Sequence, residues 1–409
     1  MALAGAWLSQ RVLAVPPSGI RLVMARAAEL KAKGHDVINW HIGRPDFDTP
    51  AHVKRACATA LEQGHVHYAP AAGLAALRTA LATRHASERG LSQTRPSQVV
   101  VANGGMEAVS STLLACLDPG DEIIVPEPCW PNLKWAAVLA GATPVTVPTS
   151  LSNGFSLTAE AVLASLTPRT KMIAVSSPGN PTGTVLPKEA LEEIAAVARE
   201  RDLLVLSDET YNRLYYGPGA EPVAPSIASL PGMAARTVIV GTLSKTFAMD
   251  GWRLGWAVAP DGDGGTQPLA QAIERMRYYI SACSPTFTQH AAVEALEADQ
   301  ACVENMRLEY DARRQVIVEG LRRIPGVELA EPGGAFYAFP RIADAVPGAD
   351  PASLPKRLLE EHAIAAVGGE EFGDSGAGHL RISFACSREE CAKGVERLAA
   401  AFAAMRAGG

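Results

Sequence analysis

Positive charge is in short supply in this chain: 37 lysines and arginines stand against 43 aspartates and glutamates over 409 residues, a formal net charge of −6. A protein that grips nucleic acid by neutralising phosphates needs the opposite balance, so nucleic acid is not an expected partner. Long hydrophobic runs are missing too. Gly, Pro or a charged residue interrupts each apolar stretch well before the roughly 20 residues a bilayer span needs, and no membrane partner is expected. Residues 1–15 are mildly apolar and carry one late arginine, without the basic, apolar and cleavage sections of a secretory signal. The seven cysteines (Cys57, Cys116, Cys129, Cys283, Cys302, Cys386 and Cys391) are scattered, with no CxxC pair and no clustered histidines. That spacing speaks against a zinc site and fits buried, reduced thiols in a cytoplasmic protein. No metal is expected.

What is present is the balance of an ordinary globular protein, 48% hydrophobic and 20% charged. The length fits two domains, or one large domain with a smaller satellite. Short β-branched segments alternate with longer helical patterns, the grammar of an α/β, doubly wound sheet. Strands are expected at 98–103, 122–126, 171–177, 203–207, 237–243 and 254–259, with helices at 105–117, 132–139 and 188–201. The strands are near-continuous apolar runs, which marks a mostly parallel sheet covered on both faces. Beyond residue 305 the pattern changes to a long helix at 306–324, then strand-like segments near 326–329, 335–339 and 379–383. The expected division is an N-terminal arm over 1–15, a large domain over 48–285, and a smaller α+β domain from 16–47 and 286–409.

In an open parallel sheet, ligands bind at the carboxyl ends of the strands. Here the polar and unusual residues follow strands almost one for one. Lys245 ends the run TVIVGTL, and a lysine entering the protein there should have a depressed pKa and act as a nucleophile. Ser244 beside it and Arg253 eight residues on bracket it with two phosphate ligands, Arg253 as a bidentate fork. Gly104, Gly105 and Met106 open a helix, where glycines allow close approach and free N–H groups face an anion. Asp208 ends LLVLS. A buried carboxylate needs a partner, and the protonated nitrogen of a pyridine ring suits it. Asp is also a good helix N-cap, and the two roles are compatible. Tyr211 and Asn180 can reach a ring phenolate oxygen, and Trp130 can stack on a ring.

These stretches, together with Ile42–Gly43–Arg44–Pro45–Asp46, Tyr68–Ala69–Pro70, Asn180–Pro181–Thr182–Gly183, Gly251–Trp252–Arg253, Gly333–Gly334–Ala335–Phe336–Tyr337 and Leu380–Arg381–Ile382–Ser383, run in order along nearly the whole chain. The chain resembles the class I/II aminotransferases, the fold type I enzymes that depend on pyridoxal 5′-phosphate (PLP), in the aspartate aminotransferase superfamily. The resemblance implies that Lys245 carries the cofactor as a Schiff base and then shuttles the substrate proton. It implies that Asp208 pairs with the pyridine nitrogen, that Tyr211 and Asn180 bond the ring oxygen, and that Trp130 stacks. Gly105, Met106, Ser244 and Arg253 would bind the phosphate. Tyr68 would reach the phosphate of a neighbouring subunit, which implies a homodimer with shared active sites. Arg381 would clamp the substrate α-carboxylate, with Gly43 and Asn180 beside it, while an amino acid and a 2-oxo acid exchange an amino group.

The bacterial aspartate aminotransferases closest in texture commonly place a lysine after the paired glycines to meet the substrate's distal carboxylate. Met106 stands there instead. Arg21, Arg44, Arg275 and Arg277 are the possible substitutes, whereas Met106 with Trp40 and Tyr278 or Tyr279 nearby would suit a neutral or aromatic side chain. The same cofactor residues also serve enzymes that cyclise, eliminate, replace or oxidise, and the motifs do not separate these from transamination.

Overall fold

A computed structural model describes residues 7–217, 223–260 and 267–407. The first six residues of the expected arm lie outside this range. Twelve strands lie in chain order: β1 (Ile38–Asn39), β2 (Val99–Ala102), β3 (Glu122–Glu127), β4 (Thr143–Pro148), β5 (Thr170–Ser176), β6 (Leu204–Asp208), β7 (Thr237–Thr242), β8 (Gly255–Val258), β9 (Tyr337–Ala338), β10 (Ile364–Ala365), β11 (Val367–Gly368) and β12 (Leu380–Ser383). Seven of them form the main sheet in the order β2-β8-β7-β6-β5-β3-β4. The pairs among β3, β4, β5, β6 and β7 are parallel, while β8 runs antiparallel to both β2 and β7.

The apolar runs explain the centre of this sheet. Every residue of β7 in the centre is buried, as is every residue of β2 at the edge, because helices cover both faces and leave no side for polar residues to point into solvent. The helices Gly105–Cys116 and Pro131–Ala140 pack on one face through Val109, Leu113, Leu133 and Ala137, against Ile123, Val125 and Val240. The helix Lys188–Glu200 covers the other face with Leu191, Ile194, Ala195 and Ala198, against Ile173, Val175 and Val205. β4 was not among the expected strands. It is an edge strand whose Pro144 and Pro148 break the apolar run, and an edge tolerates the ladder bonds that proline cannot donate.

The later residues, joined by β1 from the early chain, form two small sheets, a parallel pair β1-β10 and an antiparallel trio β11-β12-β9. Trp40, Tyr310, Phe336, Tyr337, Phe384 and Phe402 fill one core with the helices Ala301–Arg322 and Arg388–Ala407. The long helix thus begins five residues before its expected start. The strand expected at 326–329 does not form: Glu328 makes a single bridge to Arg341, and the segment is otherwise irregular. Among the described residues the cysteines are free, with Cys129, Cys386 and Cys391 buried and the other four partly so. No described helix is long and apolar enough to cross a membrane.

Candidate active site

The carboxyl ends of β5, β6 and β7 open into a cavity of about 270 Å³. Lys245 enters it from the short helix Leu243–Thr246 that follows β7. Its Nζ donates to the carbonyl of Gly43 at 2.7 Å. Burial is the main reason its pKa falls from the ordinary lysine value to about 8, with Arg381 and Arg253 adding repulsion and Asp250 and Asp208 opposing it. The free amine is therefore populated near neutrality, as a nucleophile or base requires. An amine-acylating reagent should label Lys245 of the cofactor-free chain with a pH midpoint near 8, the rate rising above it as the proton leaves. Peptide mapping across pH would check this, and a midpoint near that of an ordinary lysine would refute it.

Asp208 is the last residue of β6 and is buried. Its Oδ1 accepts from the Thr210 N–H at 3.1 Å and the Thr210 hydroxyl at 2.7 Å, which closes a turn; no described helix starts there, so the helix N-cap expected of it is not formed. Burial nevertheless raises its pKa, and the Thr210 bonds offset this only in part. Lys245 eases this least of the causes, and a carboxyl in that state would be stabilised by a cation placed in the cavity. Tyr211 stands across from it, its hydroxyl 2.9 Å from that of Tyr337, with burial holding its pKa well up so that it stays a protonated phenol. Trp130 and Asn180 complete this stretch of the wall.

At one end of the cavity is an anion seat. The helix Gly105–Cys116 starts there, and the N–H groups of Gly105 and Met106 have no partner within the helix. Ser244 and Arg253 face the same end. Gly104 is required: its φ is +89°, and a Cβ on it would stand 2.5 Å from Arg253 Nη2. Arg253 is itself left-handed, with φ 55°, and is held by the carbonyls of Asp250 at 2.8 Å and Asn103 at 3.4 Å. At the other end lies Arg381, buried on β12. Nη1 donates to Asn180 Oδ1 at 3.2 Å and Nη2 to the His41 carbonyl at 2.7 Å, while Nε has no partner among the described residues. Tyr337 and Phe372 flank the guanidinium at 4.8 and 4.9 Å. A carboxylate is the ligand such a fork recognises.

Eleven of the expected site residues thus surround one cavity: Gly43, Gly105, Met106, Trp130, Asn180, Asp208, Tyr211, Ser244, Lys245, Arg253 and Arg381. Tyr68 does not. It is 90% exposed, on the outer surface of this chain. Trp40 does not line the cavity either; it is wholly buried against Gly394, where a Cβ would come within 2.1 Å of its ring. Tyr278 and Tyr279 lie exposed outside it. Of the arginines weighed as distal anchors, none is among the lining residues.

Ile20, Thr210, Asp250 and Tyr337 line the cavity without having been singled out from the sequence as site residues. Tyr337 could have been found, because it closes the Gly333–Gly334–Ala335–Phe336–Tyr337 stretch. A Cβ on Gly43 would meet its hydroxyl at 2.6 Å, which ties the two positions together. Ile20 carried no signal. It arrives on the helix Gly19–Ala32, whose first N–H donates to Glu371 Oε2 at 3.0 Å.

A doubly wound sheet with a depressed lysine, a buried carboxyl and an anion seat at its carboxyl edge defines an enzyme that works through a lysine amine. The chain belongs to the family described as "Aminotransferase class I and II", whose model matches residues 35–398. It is 39% identical to an aspartate aminotransferase of Pyrococcus abyssi over 393 residues, covering 96% of this chain and 97% of that one. An aromatic-amino-acid aminotransferase of Thermococcus litoralis is 37% identical over 393 residues, with the same coverage. The fold matches that of the aspartate aminotransferase from Thermus thermophilus with maleate, at a TM-score of 0.89, 39% identity, and 96% and 99% of the two chains. The fold type I architecture expected from the sequence is the one these enzymes share.

Proposed function

We propose that this chain moves the α-amino group of an amino acid to a 2-oxo acid, with PLP held in the cavity described above. The observation that carries the reading is the arrangement along one cavity: anion seat, depressed lysine, buried carboxyl and carboxylate fork, in that order. The donors fit the group, since the seat supplies helix N–H groups, a hydroxyl and a guanidinium for a phosphate, and Asp208 lacks the cation that a protonated pyridine nitrogen would provide. When bound, the cofactor supplies an electron sink for a breaking Cα–H bond.

The chain's own residues account for the rest. Lys245 would supply the amine that holds the cofactor and the base that takes the proton leaving the substrate Cα. Burial, which depresses its pKa, favours the neutral amine that such a base requires. Arg381 would fix the substrate through its α-carboxylate, with the Tyr337 and Phe372 rings packed beside the fork. Tyr211, a protonated phenol held by Tyr337, is placed to donate to the ring oxygen, with Asn180 beside it. Trp130 would stack on the ring.

We further propose a homodimer whose sites are shared through Tyr68. Tyr68, Val66, Tyr278, Tyr279 and Ile280 are large and exposed, and the bond from Arg277 to the Ala71 carbonyl joins the two segments that carry them. A second copy of this chain would cover that surface. A cytoplasmic location accords with the composition.

Amino acids added one at a time to the cofactor-loaded protein, without a keto acid, test the reaction. One of them should shift the cofactor absorbance to that of its amine form and release one equivalent of keto acid per site. Turnover that continues without an acceptor would replace transamination by elimination, replacement, cyclisation or oxidation.

A further inference from the structure

We infer that Glu107 and Arg277 are a positioning pair that sets the shape and the charge of the anion seat. The inference rests on reading that seat as the place of a phosphate. Neither residue lines the cavity, so neither touches the ligand.

Glu107 is the third residue of the helix Gly105–Cys116. Its carboxylate turns back to accept the backbone N–H of Asn103, with Asn103 Nδ2 at 3.4 Å from the other oxygen. This is a capping-box arrangement moved one residue outward. It closes the turn 103–107 from behind and so fixes where the N–H groups of Gly105 and Met106 point. The same carboxylate brings a difficulty. A negative charge one residue beyond the seat repels the anion that the helix terminus attracts, and low-dielectric surroundings strengthen the repulsion.

Arg277 removes the conflict. It is wholly buried, and its Nε lies 3.4 Å from Glu107 Oε2. Its other nitrogens donate to the carbonyls of Ala71 and Ala282, the latter at 3.2 Å, and to the Ser284 hydroxyl at 2.8 Å. The guanidinium is thus rooted in segments outside the helix and cannot swing into the cavity. The Ser281 hydroxyl donates to Glu107 as well. Glu107 can then shape the turn as an acceptor while its charge is cancelled from the side away from the ligand. A neutral residue at 277 would leave a half-buried, uncompensated carboxylate beside the seat, and the effect would fall on ligands that carry a phosphate.

The test compares two ligands that differ only in that group. Dissociation constants for PLP and for pyridoxal are measured on the full chain stripped of cofactor. Wild type should prefer PLP strongly. R277M should bind PLP at least tenfold more weakly while pyridoxal changes by less than threefold, and R277M/E107Q should recover most of the loss. E107Q alone keeps an acceptor for Asn103 and drops the charge; with circular dichroism as the folding control, it should bind PLP severalfold tighter with pyridoxal unchanged. If the variants weaken both ligands equally, or leave PLP unaffected, the pair is only structural and the inference falls. If wild type does not distinguish PLP from pyridoxal, the phosphate reading of the seat itself fails, whatever the variants do.

Discussion

Alanine in place of Lys245 should abolish transamination, lowering kcat by at least about 10⁴-fold. General acid–base catalysis by a positioned group is worth roughly 10²–10⁴, and this amine also provides the covalent anchor, so its loss removes two contributions together. The folded chain should not suffer. Lys245 is a nearly buried amine whose hydrogen bond is to the Gly43 carbonyl, and burial already pushes it towards the neutral form. Removing it relieves desolvation and costs one hydrogen bond, so the thermal midpoint should hold or rise. Single-turnover kinetics on the variant, with circular dichroism as the folding control, would decide the matter. Activity within tenfold of wild type would remove Lys245 from the centre of the mechanism.

Asp208→Ala should be the next most damaging change. Losing one partner of a buried ion pair costs about 3–5 kcal/mol, and at 1.36 kcal/mol per tenfold that is about 10²–10⁴ in kcat/KM. The pair in question forms only when the cavity is filled, because in this chain alone the carboxyl is raised by burial and answered by Thr210, with a smaller contribution from Lys245. The loss should therefore appear in kcat/KM and in cofactor affinity, but not in the stability of the cofactor-free chain. Asp208→Asn separates charge from shape: it keeps an acceptor for Thr210 and should still lose most of the activity. If Asn substitutes freely, Asp208 serves only to hold the turn at Thr210 and its charge has no part in catalysis.

The strands that carry this chemistry were legible because their surroundings are uniform. β5, β6 and β7 are covered on both faces, so burial writes itself as an unbroken apolar run, and the polar residue that ends each run marks the ligand edge. Direction is not written that way. The residues of β8 are as apolar as those of its neighbours, and nothing in them shows that the strand runs against β2 and β7. Edge positions were harder still. β4 hides behind two prolines, and residues 326–329 look extended yet make one bridge. In the site, residues at strand ends could be placed from the sequence, whereas Ile20 comes from a segment that long-range packing alone brings to the cavity. Trp40 misled for a related reason. It lies two residues from Ile42, close to a motif in sequence, but β1 pairs with β10 and turns the ring into a different core.

The reversed strand has a practical consequence. Thr242, at the end of β7, pairs with Gly255, at the start of β8, so Lys245 and Arg253 lie on one short excursion that leaves and re-enters the sheet at the same rim. The tether between nucleophile and anion ligand is covalent and only a few residues long, so lengthening it would pull apart two groups that must act on one molecule. The opposite rim carries no such burden. There the chain turns at exposed Asp202 between the helix Lys188–Glu200 and β6. A reporter peptide or a fused binding module grafted beside Asp202 would hang from the idle side of the molecule, while the same graft between 245 and 253 would disable it. The architecture thus divides its surface into ground that can be built on and ground that cannot.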